Sequence, residues 1–230
     1  MAKTILIVGN SDGIGAAVTA LLAARGDRIV GVSRSPASVE DGLISHYVQD
    51  VSAAGYPDLL TTLVQQHHAF DACIYCAGVG SLLKLPDVSR ESLVFEVNIV
   101  AMVRTLEALL PLWLERRSGH FIALSSLADD FYNSEAPSYS ASKAAMSNYL
   151  LSMGLKLRKS GIAVTNVRFG FVDTKMAKAP FKPMMMTREG AATKVVRCLD
   201  TRPLQLTSPK VMGVVTHLLR LAQSLRVWTT

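Results

Sequence analysis

Short apolar runs along the chain alternate with longer segments in which apolar residues recur every three or four positions. The short runs predict β-strands at residues 3–9, 28–34, 46–51, 71–78, 120–126 and 162–170. Helical spacing predicts helices at 14–26, 56–67, 138–161 and 210–228, and one that begins at Arg188 with Thr187 as its cap. It also predicts one long helix, or two joined helices, over 89–117. This alternation favours βαβ units, and therefore an α/β fold whose doubly wound parallel sheet is covered by helices on both faces.

The composition is typical of one ordered domain. Half of the 230 residues are hydrophobic, and no shift in composition marks a linker, so we expect a single domain over residues 1–230. The three cysteines are an odd number, and Cys73 and Cys76 are expected on opposite faces of a strand, which disfavours a metal or redox site. This use of cysteine favours the reducing cytoplasm.

The net charge of +6 is unevenly distributed along the chain. Residues 1–170 hold 14 basic and 15 acidic residues, whereas residues 171–230 hold 10 basic and 3 acidic residues. The basic last quarter is either a solvated surface or a region that faces an anionic partner. No motif of interleaved aromatic and basic residues accompanies it, so the sequence disfavours nucleic-acid binding.

A glycine-rich loop with the sequence GNSDGIG separates the first predicted strand from the first helix. Gly9, Gly13 and Gly15 allow a sharp turn, and the start of the helix offers free N–H groups and the positive end of its dipole. The loop is therefore a candidate site for the pyrophosphate of a dinucleotide. Its spacing is G-x-x-x-G-x-G, which differs from the G-x-G-x-x-G fingerprint.

The end of the second predicted strand bears on the choice of dinucleotide. NAD-binding folds of this type carry an acid here, which binds the ribose 2′-hydroxyl. This chain has Ser33 and Arg34 instead. A hydroxyl and a guanidinium suit a 2′-phosphate, so we expect NADP(H) rather than NAD(H).

A tyrosine and a lysine lie one helical turn apart in the stretch SYSASKAAM. Tyr139 and Lys143, at positions i and i+4, share a helix face with only small residues between them. An ammonium near a phenol should lower the phenol's pKa and make it a usable general acid or base. Ser126 ends the preceding strand at the edge of the sheet where ligands bind, so its hydroxyl could hold a substrate carbonyl.

These motifs together resemble the short-chain dehydrogenase/reductase family. Four features match in order: the glycine loop; the sequence CAG that ends at Gly78; a mid-helix Asn98; and Ser126 thirteen residues before Tyr139, with Lys143 four residues further on. The resemblance covers the chain from about residue 4 to residue 176. It implies a Rossmann-like fold and an NAD(P)-dependent oxidoreductase.

The resemblance also implies roles for individual residues. Tyr139 would protonate a carbonyl oxygen, or deprotonate an alcohol, as hydride moves from or to the nicotinamide. Ser126 would position the substrate oxygen, Lys143 would hold the nicotinamide ribose, and Asn98 would anchor a water in a proton relay. The cofactor contacts expected from the motifs and the resemblance are Gly9, Ser11, Gly13, Ile14, Gly15, Ser33, Arg34, Asp50, Val51, Cys76, Ala77, Gly78, Tyr139, Lys143, Gly170, Val172 and Thr174.

The chain departs from the family pattern at three places. Tyr75 and Cys76 stand where the family usually has two asparagines. Phe169 replaces the usual proline before Gly170. Asp12 occupies a loop in which NADP-preferring members often carry a basic residue.

The last sixty residues are expected to cover the substrate and to end in an amphipathic helix. Three consecutive methionines, 184–186, suit a mobile apolar lid or loop residues packed on the core. In the final helix, one face is apolar: Val211, Val214, Val215, Leu218, Leu221, Ala222 and Leu225. The opposite face is polar: Thr216, His217, Arg220, Gln223 and Ser224. Such a helix packs on the domain, packs on a second subunit, or lies on a membrane surface.

We therefore expect an NADP(H)-dependent oxidoreductase that interconverts a carbonyl and an alcohol on a small, lipophilic substrate. Residues 1–170 would form the cofactor-binding and catalytic core, and residues 171–230 the lid and terminal helix. The resemblance suggests a homodimer or homotetramer. The alternative is a catalytically idle dinucleotide-binding sensor or interaction protein.

Overall fold

Seven parallel strands form one sheet in the part of the chain that the computed structural model describes, which is residues 2–37, 42–67, 69–177 and 182–229. Their order across the sheet is β3-β2-β1-β4-β5-β6-β7. The strands are β1 Thr4–Val8, β2 Arg28–Ser33, β3 Ile44–Val48, β4 Ala72–Tyr75, β5 Gly119–Ser126, β6 Ile162–Phe169 and β7 Gln205–Ser208. Each adjacent pair is parallel, which requires a crossover connection between consecutive strands.

Helices supply these crossovers and cover both faces of the sheet. They are α1 Gly13–Ala24, α2 Tyr56–Gln66, α3 Glu91–Phe95, α4 Ala101–Arg116, α5 Pro137–Leu157, α6 Arg188–Thr201 and α7 Lys210–Thr229. One buried apolar cluster joins the sheet to α2, α4 and α5, and a second joins its other face to α1 and α6. The predicted doubly wound α/β fold is therefore confirmed.

The strand order places a crevice at the carboxyl ends of β1 and β4. The chain runs from β1 to β2 and β3 on one side, then returns to β4 on the other side of β1. The loops that leave β1 and β4 therefore diverge, and ligands of open α/β sheets bind at such a switch point. The predicted glycine loop follows β1, and Cys76, Ala77 and Gly78 follow β4.

Three elements differ from the sequence prediction. The third strand lies at Ile44–Val48 rather than 46–51. The segment 89–117, expected as one helix or two joined helices, contains a π-helical turn at Glu96–Val100 between α3 and α4 that was not predicted. The sequence analysis missed β7, because this four-residue edge strand is only partly buried and has too few apolar positions to show a period.

The terminal elements agree with their predicted starts. Thr187 caps α6, and its hydroxyl accepts a hydrogen bond from the Gly190 amide at 3.1 Å. The amphipathic α7 extends over Lys210–Thr229. Across the described residues, none of the helices combines the length and the hydropathy needed to cross a membrane.

Tyr75, at a position where the resembled family usually has an asparagine, links β4 to the neighbouring helical segment. Its ring is fully buried at the end of β4, and its hydroxyl donates a 2.6 Å hydrogen bond to the carbonyl of Val97. Val97 lies in the π-helical turn, where the regular helical hydrogen-bond pattern is interrupted. Tyr75 therefore fastens this turn to the sheet.

The substitution Tyr75→Phe should lower the free energy of unfolding by about 1–3 kcal/mol, because it leaves a buried carbonyl without its donor. Urea denaturation followed by circular dichroism measures the change. Tyr132→Phe is the matched control, since the Tyr132 side chain is 55% exposed and its change should stay within about 0.5 kcal/mol. Equal stabilities for the two variants would contradict the role given to Tyr75.

Candidate active site

The glycine loop between β1 and α1 lies so close to neighbouring backbone that Gly9 and Gly15 have no space for a side chain. We call this loop the glycine cradle. Gly9 has a φ of +88°, and a Cβ there would lie 2.6 Å from the amide nitrogen of Ala77. A Cβ on Gly15 would lie 1.9 Å from the carbonyl oxygen of Gly9. The loop is thus held close to both β4 and α1, with the first amides of α1, including that of Ile14, at its edge. This open backbone surface at a helix start fits a dinucleotide pyrophosphate.

The segment after β6 lies against the same loop. A Cβ on Gly13 would lie 3.4 Å from a methyl carbon of Thr174. The next residue, Lys175, forms an ion pair with Asp12 at 2.7 Å. Lys175 and a hydrogen bond from the Gly13 amide hold the pKa of Asp12 below its usual value. The structure therefore places Thr174 at the predicted cofactor site and neutralises Asp12 there.

The remaining predicted residues of this segment serve to orient it. Val172 forms an isolated parallel bridge with Met186, and the Asp173 amide donates to the Met186 carbonyl at 2.8 Å. The Gly170 amide donates to the Ser208 carbonyl at 3.0 Å, so Gly170 lies against the end of β7. Residues 178–181 of the expected lid lie outside the described residues.

Residues at the ends of β2 and β3 lie near one another at the edge of the crevice. The Ser33 hydroxyl donates to the Ser35 carbonyl at 2.8 Å, and the Arg34 side chain is exposed. Burial alone would raise the pKa of Asp50. Hydrogen bonds from Ser52 and the nearby charge of Arg34 outweigh this effect, and the Asp50 pKa lies below its usual value. Next in the chain, Val51 is buried.

The chain leaving β4 passes between the glycine loop and the helices that carry Asn98 and Lys143. The amides of Cys76 and Ala77 both donate to the Val8 carbonyl, at 2.8 and 2.9 Å. A Cβ on Gly78 would lie 3.5 Å from the Asn98 side-chain oxygen and 3.7 Å from the Lys143 Nζ atom. The structure therefore brings the predicted cofactor contacts of β4 beside the predicted catalytic residues.

Gly80 also belongs to this site, although sequence reasoning missed it. A Cβ on Gly80 would lie 2.8 Å from a ring carbon of Tyr139, so only glycine lets the chain pass this close to the phenol. The motif ends at Gly78, and no further motif or periodicity in the sequence points to Gly80.

Tyr139 lies in the first turn of α5, next to the end of β5. Its pKa is raised by burial, and a hydrogen bond with the Ser126 hydroxyl offsets only part of that effect. The Tyr139 pKa is therefore shifted in the opposite direction to the lowering expected beside Lys143, because removal of the phenol from water has the larger effect. The Lys143 Nζ atom lies 5.8 Å from the centre of the Tyr139 ring. At neutral pH the phenol therefore carries its proton.

Lys143 is buried to 3% exposure, and its ammonium donates a 2.7 Å hydrogen bond to the Leu124 carbonyl on β5. Burial lowers its pKa to about 8, while the negative charge of Asp129 acts in the opposite direction. The cation is thus held at the carboxyl end of the sheet by the strand that ends in Ser126.

Asn98 is fully buried in the π-helical turn and makes three side-chain hydrogen bonds. Its oxygen accepts from the Val79 amide, and its amide donates to the Val79 carbonyl and to the Ser142 hydroxyl, each at 2.9 Å. Ser142 in turn donates to the Tyr139 carbonyl at 2.8 Å. Asn98 therefore ties the loop after β4 to the helix that bears Tyr139. The water relay expected for Asn98 stays a prediction.

A buried ion pair beneath the site was not foreseen from the sequence. Arg168 on β6 donates to both carboxylate oxygens of Asp129, at 2.7 and 2.6 Å, and also contacts Asp130. Ser147 on α5 donates to Asp129 as well. Arg168 is 38 or 39 residues from its two carboxylate partners, and Ser147 is 18 residues from Asp129, so no local spacing could have indicated this network. It fastens the turn that follows Ser126 to both β6 and α5.

The family model described as short chain dehydrogenase matches residues 3–184. The chain belongs to this family. It is a short-chain dehydrogenase/reductase, an enzyme of a family that binds NAD(P) and acts on alcohol and carbonyl groups. The earlier resemblance is therefore confirmed.

Similar proteins support the assignment. A 3-oxoacyl-(acyl-carrier-protein) reductase of Vibrio cholerae is 27% identical over 188 residues, which cover 77% of this chain and 76% of that protein. A short-chain dehydrogenase from Streptomyces avermitilis superimposes with a TM-score of 0.85 at 22% identity, covering 100% of this chain and 97% of that one. ElxO, solved with NADP bound, superimposes with a TM-score of 0.79 at 18% identity, covering 90% and 97%. These structural likenesses concern the fold.

The substitution Gly15→Ala should weaken NADPH binding by about tenfold or more, because the new methyl group would collide with the Gly9 carbonyl and displace the loop. Titration of NADPH fluorescence measures the dissociation constant without turnover. Gly55→Ala is the matched control: Gly55 has a φ of −76°, and nothing lies within 4 Å of its Cβ position. Equal affinities for the two variants would mean that the loop does not hold the cofactor.

Proposed function

We propose that this short-chain dehydrogenase/reductase uses NADP(H) and that Tyr139 is its general acid and base. The observation that carries the proposal is the position of the phenol. The Ser126 hydroxyl is close enough to affect the Tyr139 pKa, and the buried Lys143 ammonium lies 5.8 Å from the centre of its ring. The ring also contacts Gly80, in the loop that follows β4. Substrate oxygen, proton donor and cofactor can therefore meet at the carboxyl edge of β4 and β5.

Each side chain has a chemical task in carbonyl reduction. When bound, the nicotinamide supplies the hydride that adds to the carbonyl carbon. Ser126 donates a hydrogen bond to the carbonyl oxygen, and Tyr139 transfers its proton to that oxygen and becomes a phenolate. The Lys143 cation stabilises this phenolate. The raised pKa of Tyr139 suits the donating direction, because the group is protonated before the reaction begins.

The preference for NADP(H) rests on the charges around the crevice. Arg34 is exposed at the end of β2, where it can reach a 2′-phosphate. Asp12 would repel that phosphate, but its carboxylate is paired with Lys175. ElxO, which has a similar fold, was solved with NADP bound.

Apolar groups near the site support a lipophilic substrate. The terminal methyl of Met176 lies 3.9 Å from the Cβ position of Gly78. Leu82, two residues after Gly80, and Met184 are each 56% exposed, so both are available for contact. The Vibrio cholerae relative is named for 3-oxoacyl substrates. Residues 171–230 would then contribute the substrate cover, while residues 1–170 hold the cofactor.

The cytoplasmic location and the assembly as a homodimer or homotetramer are further proposals. Cys73, Cys76 and Cys198 are free thiols in the structure, which suits a reducing compartment. Oligomers are common in this family, and one candidate interface is described below.

NADPH oxidation on a panel of short-chain and long-chain ketones, aldehydes and quinones tests the proposed reaction. Tyr139→Phe should lower the rate by about 10²–10⁴-fold, since it removes the proton donor. Tyr149→Phe, on the same helix, is the matched control and should keep full activity. Turnover that survives in Tyr139→Phe would exclude the phenol as the acid. Tight NADPH binding with no turnover of any panel member would favour the sensor alternative.

The substitution Arg34→Ala should weaken NADPH binding by about tenfold or more and leave NADH binding unchanged, because only NADPH carries the 2′-phosphate. Dissociation constants for both cofactors provide the measurement. Arg28→Ala removes an exposed arginine at the opposite end of β2 and should alter neither constant. An equal loss for NADH and NADPH in Arg34→Ala would contradict the specificity role.

A further inference from the structure

The polar side of α7, not its apolar side, packs on the body of the protein. Thr216 is 4% exposed, and its hydroxyl donates to the Asp130 carboxylate at 3.1 Å. The Gln223 side chain accepts from the Tyr132 amide at 2.8 Å and donates to the Tyr132 carbonyl at 2.9 Å. The apolar face therefore does not pack on the domain, which was one of the three arrangements expected from the sequence. These three hydrogen bonds fix which side of the helix faces outward.

An apolar stripe, which we term the α7 seam, occupies this outward side. Its members are Val211, Val214, Leu218, Leu221, Leu225 and Trp228, with exposed fractions of 63%, 62%, 59%, 51%, 70% and 89%. Their consecutive spacings are 3, 4, 3, 4 and 3, so they occupy the a and d positions of a heptad repeat. Thr216 and Gln223, the two anchors, are also seven residues apart and share the opposite, f position.

A seam of this kind is suited to a second helix. Heptad spacing directs side chains into the holes of a facing helix. Solvent-exposed apolar stripes on otherwise polar surfaces usually mark interaction sites. The hydrogen bonds of Thr216 and Gln223 hold α7 on the body of the protein with the seam exposed. The helix therefore does not have to fold when a partner binds.

We propose that the α7 seam pairs antiparallel with the α7 seam of a second copy of this chain. In a two-fold symmetric pair, facing side chains of the two helices form three kinds of contact layer. Leu218 faces Leu221 of the second copy, Val214 faces Leu225, and Val211 faces Trp228. Each outer layer combines a small and a large side chain, and the centre is filled by leucines, so the seam is complementary to itself.

The charges of α7 favour the antiparallel direction. The segment 210–230 contains basic residues and no acidic ones. Lys210 lies at the start of α7, which is the unfavourable end of the helix dipole for a cation. Antiparallel pairing places it beside the carboxyl end of the second α7, where a cation is stabilised. Parallel pairing would align each basic side chain with its own copy.

A cavity lies beside the seam, near the position that Trp228 of the second copy would occupy. It has a volume of about 500 Å³ and is lined by Asp130, Arg168, Gln205, Thr207, Lys210, Gly213, Val214, His217 and Leu218. In the antiparallel pair, Trp228 of the second copy faces Val211, which is adjacent in the chain to Lys210 in the cavity lining.

Analytical ultracentrifugation of the full chain tests the pairing. Leu218→Glu should halve the mass of the assembly, because it buries a charge between the two helices. Leu219→Glu is the matched control, with the same change one position off the seam at a residue that is 50% exposed, and should keep the wild-type mass. Circular dichroism confirms that both variants are folded.

Cysteine cross-linking tests the direction of the pair and does not depend on the glutamate variants. A mixture of the single variants Leu218→Cys and Leu221→Cys should form a 218–221 disulfide between copies under mild oxidation. Neither variant alone should cross-link efficiently. A disulfide that joins position 218 to itself in the Leu218→Cys variant would indicate parallel helices and overturn the proposed geometry.

Two results would overturn the proposal as a whole. One is an unchanged assembly mass in Leu218→Glu. The other is a wild-type chain that sediments as a monomer. If this monomer also binds phosphatidylglycerol vesicles at low salt, and Leu218→Glu does not, the seam is a membrane-contact surface instead. Because these measurements need no turnover, their failure is distinguishable from failure of the proposed reaction.

Discussion

A methyl group at position 15 would lie 1.9 Å from the carbonyl oxygen of Gly9, and one at position 9 would lie 2.6 Å from the amide of Ala77. The bare backbone at these two positions lets β1, α1 and the chain leaving β4 converge at the switch point of the sheet. The convergence creates the crevice, and it also brings Gly78 and Gly80 against the side chains of α5. The loop proposed to hold the cofactor and the residues proposed for catalysis therefore lie together because of one close approach of backbone segments.

Buried polar side chains hold the proposed catalytic groups in place around this crevice. Lys143 is fixed by the Leu124 carbonyl, and Asn98 is fixed by both backbone groups of Val79. Below them, the bidentate pair of Arg168 and Asp129 fastens the turn after Ser126. Such groups are costly to bury unless every one finds a partner. Their mutual satisfaction makes the positions of the phenol and the ammonium specific.

The sequence alone predicted most of the architecture and supplied the candidate site residues. Apolar runs located β1, β2, β4, β5 and β6, because buried parallel strands have a strong and local hydrophobic signal. Ordered motifs selected Ser126, Tyr139 and Lys143 as candidates. The signal is local, because Tyr139 and Lys143 lie four residues apart on one helix and Ser126 ends the strand before it. The signal failed at β7, whose four residues are only half buried at the edge of the sheet.

Tertiary structure decided whatever depends on groups distant in the chain. The proximity of Gly80 to Tyr139 and the ion pair of Arg168 with Asp129 join segments that no periodicity connects. Desolvation set the direction of the Tyr139 pKa, which depends on packing rather than on the neighbouring lysine. The amphipathic pattern of α7 was evident in the sequence, but the hydrogen bonds of Thr216 and Gln223 turned its apolar side outward. A pattern along the chain determines which residues share a face, and only the surrounding fold determines what that face meets.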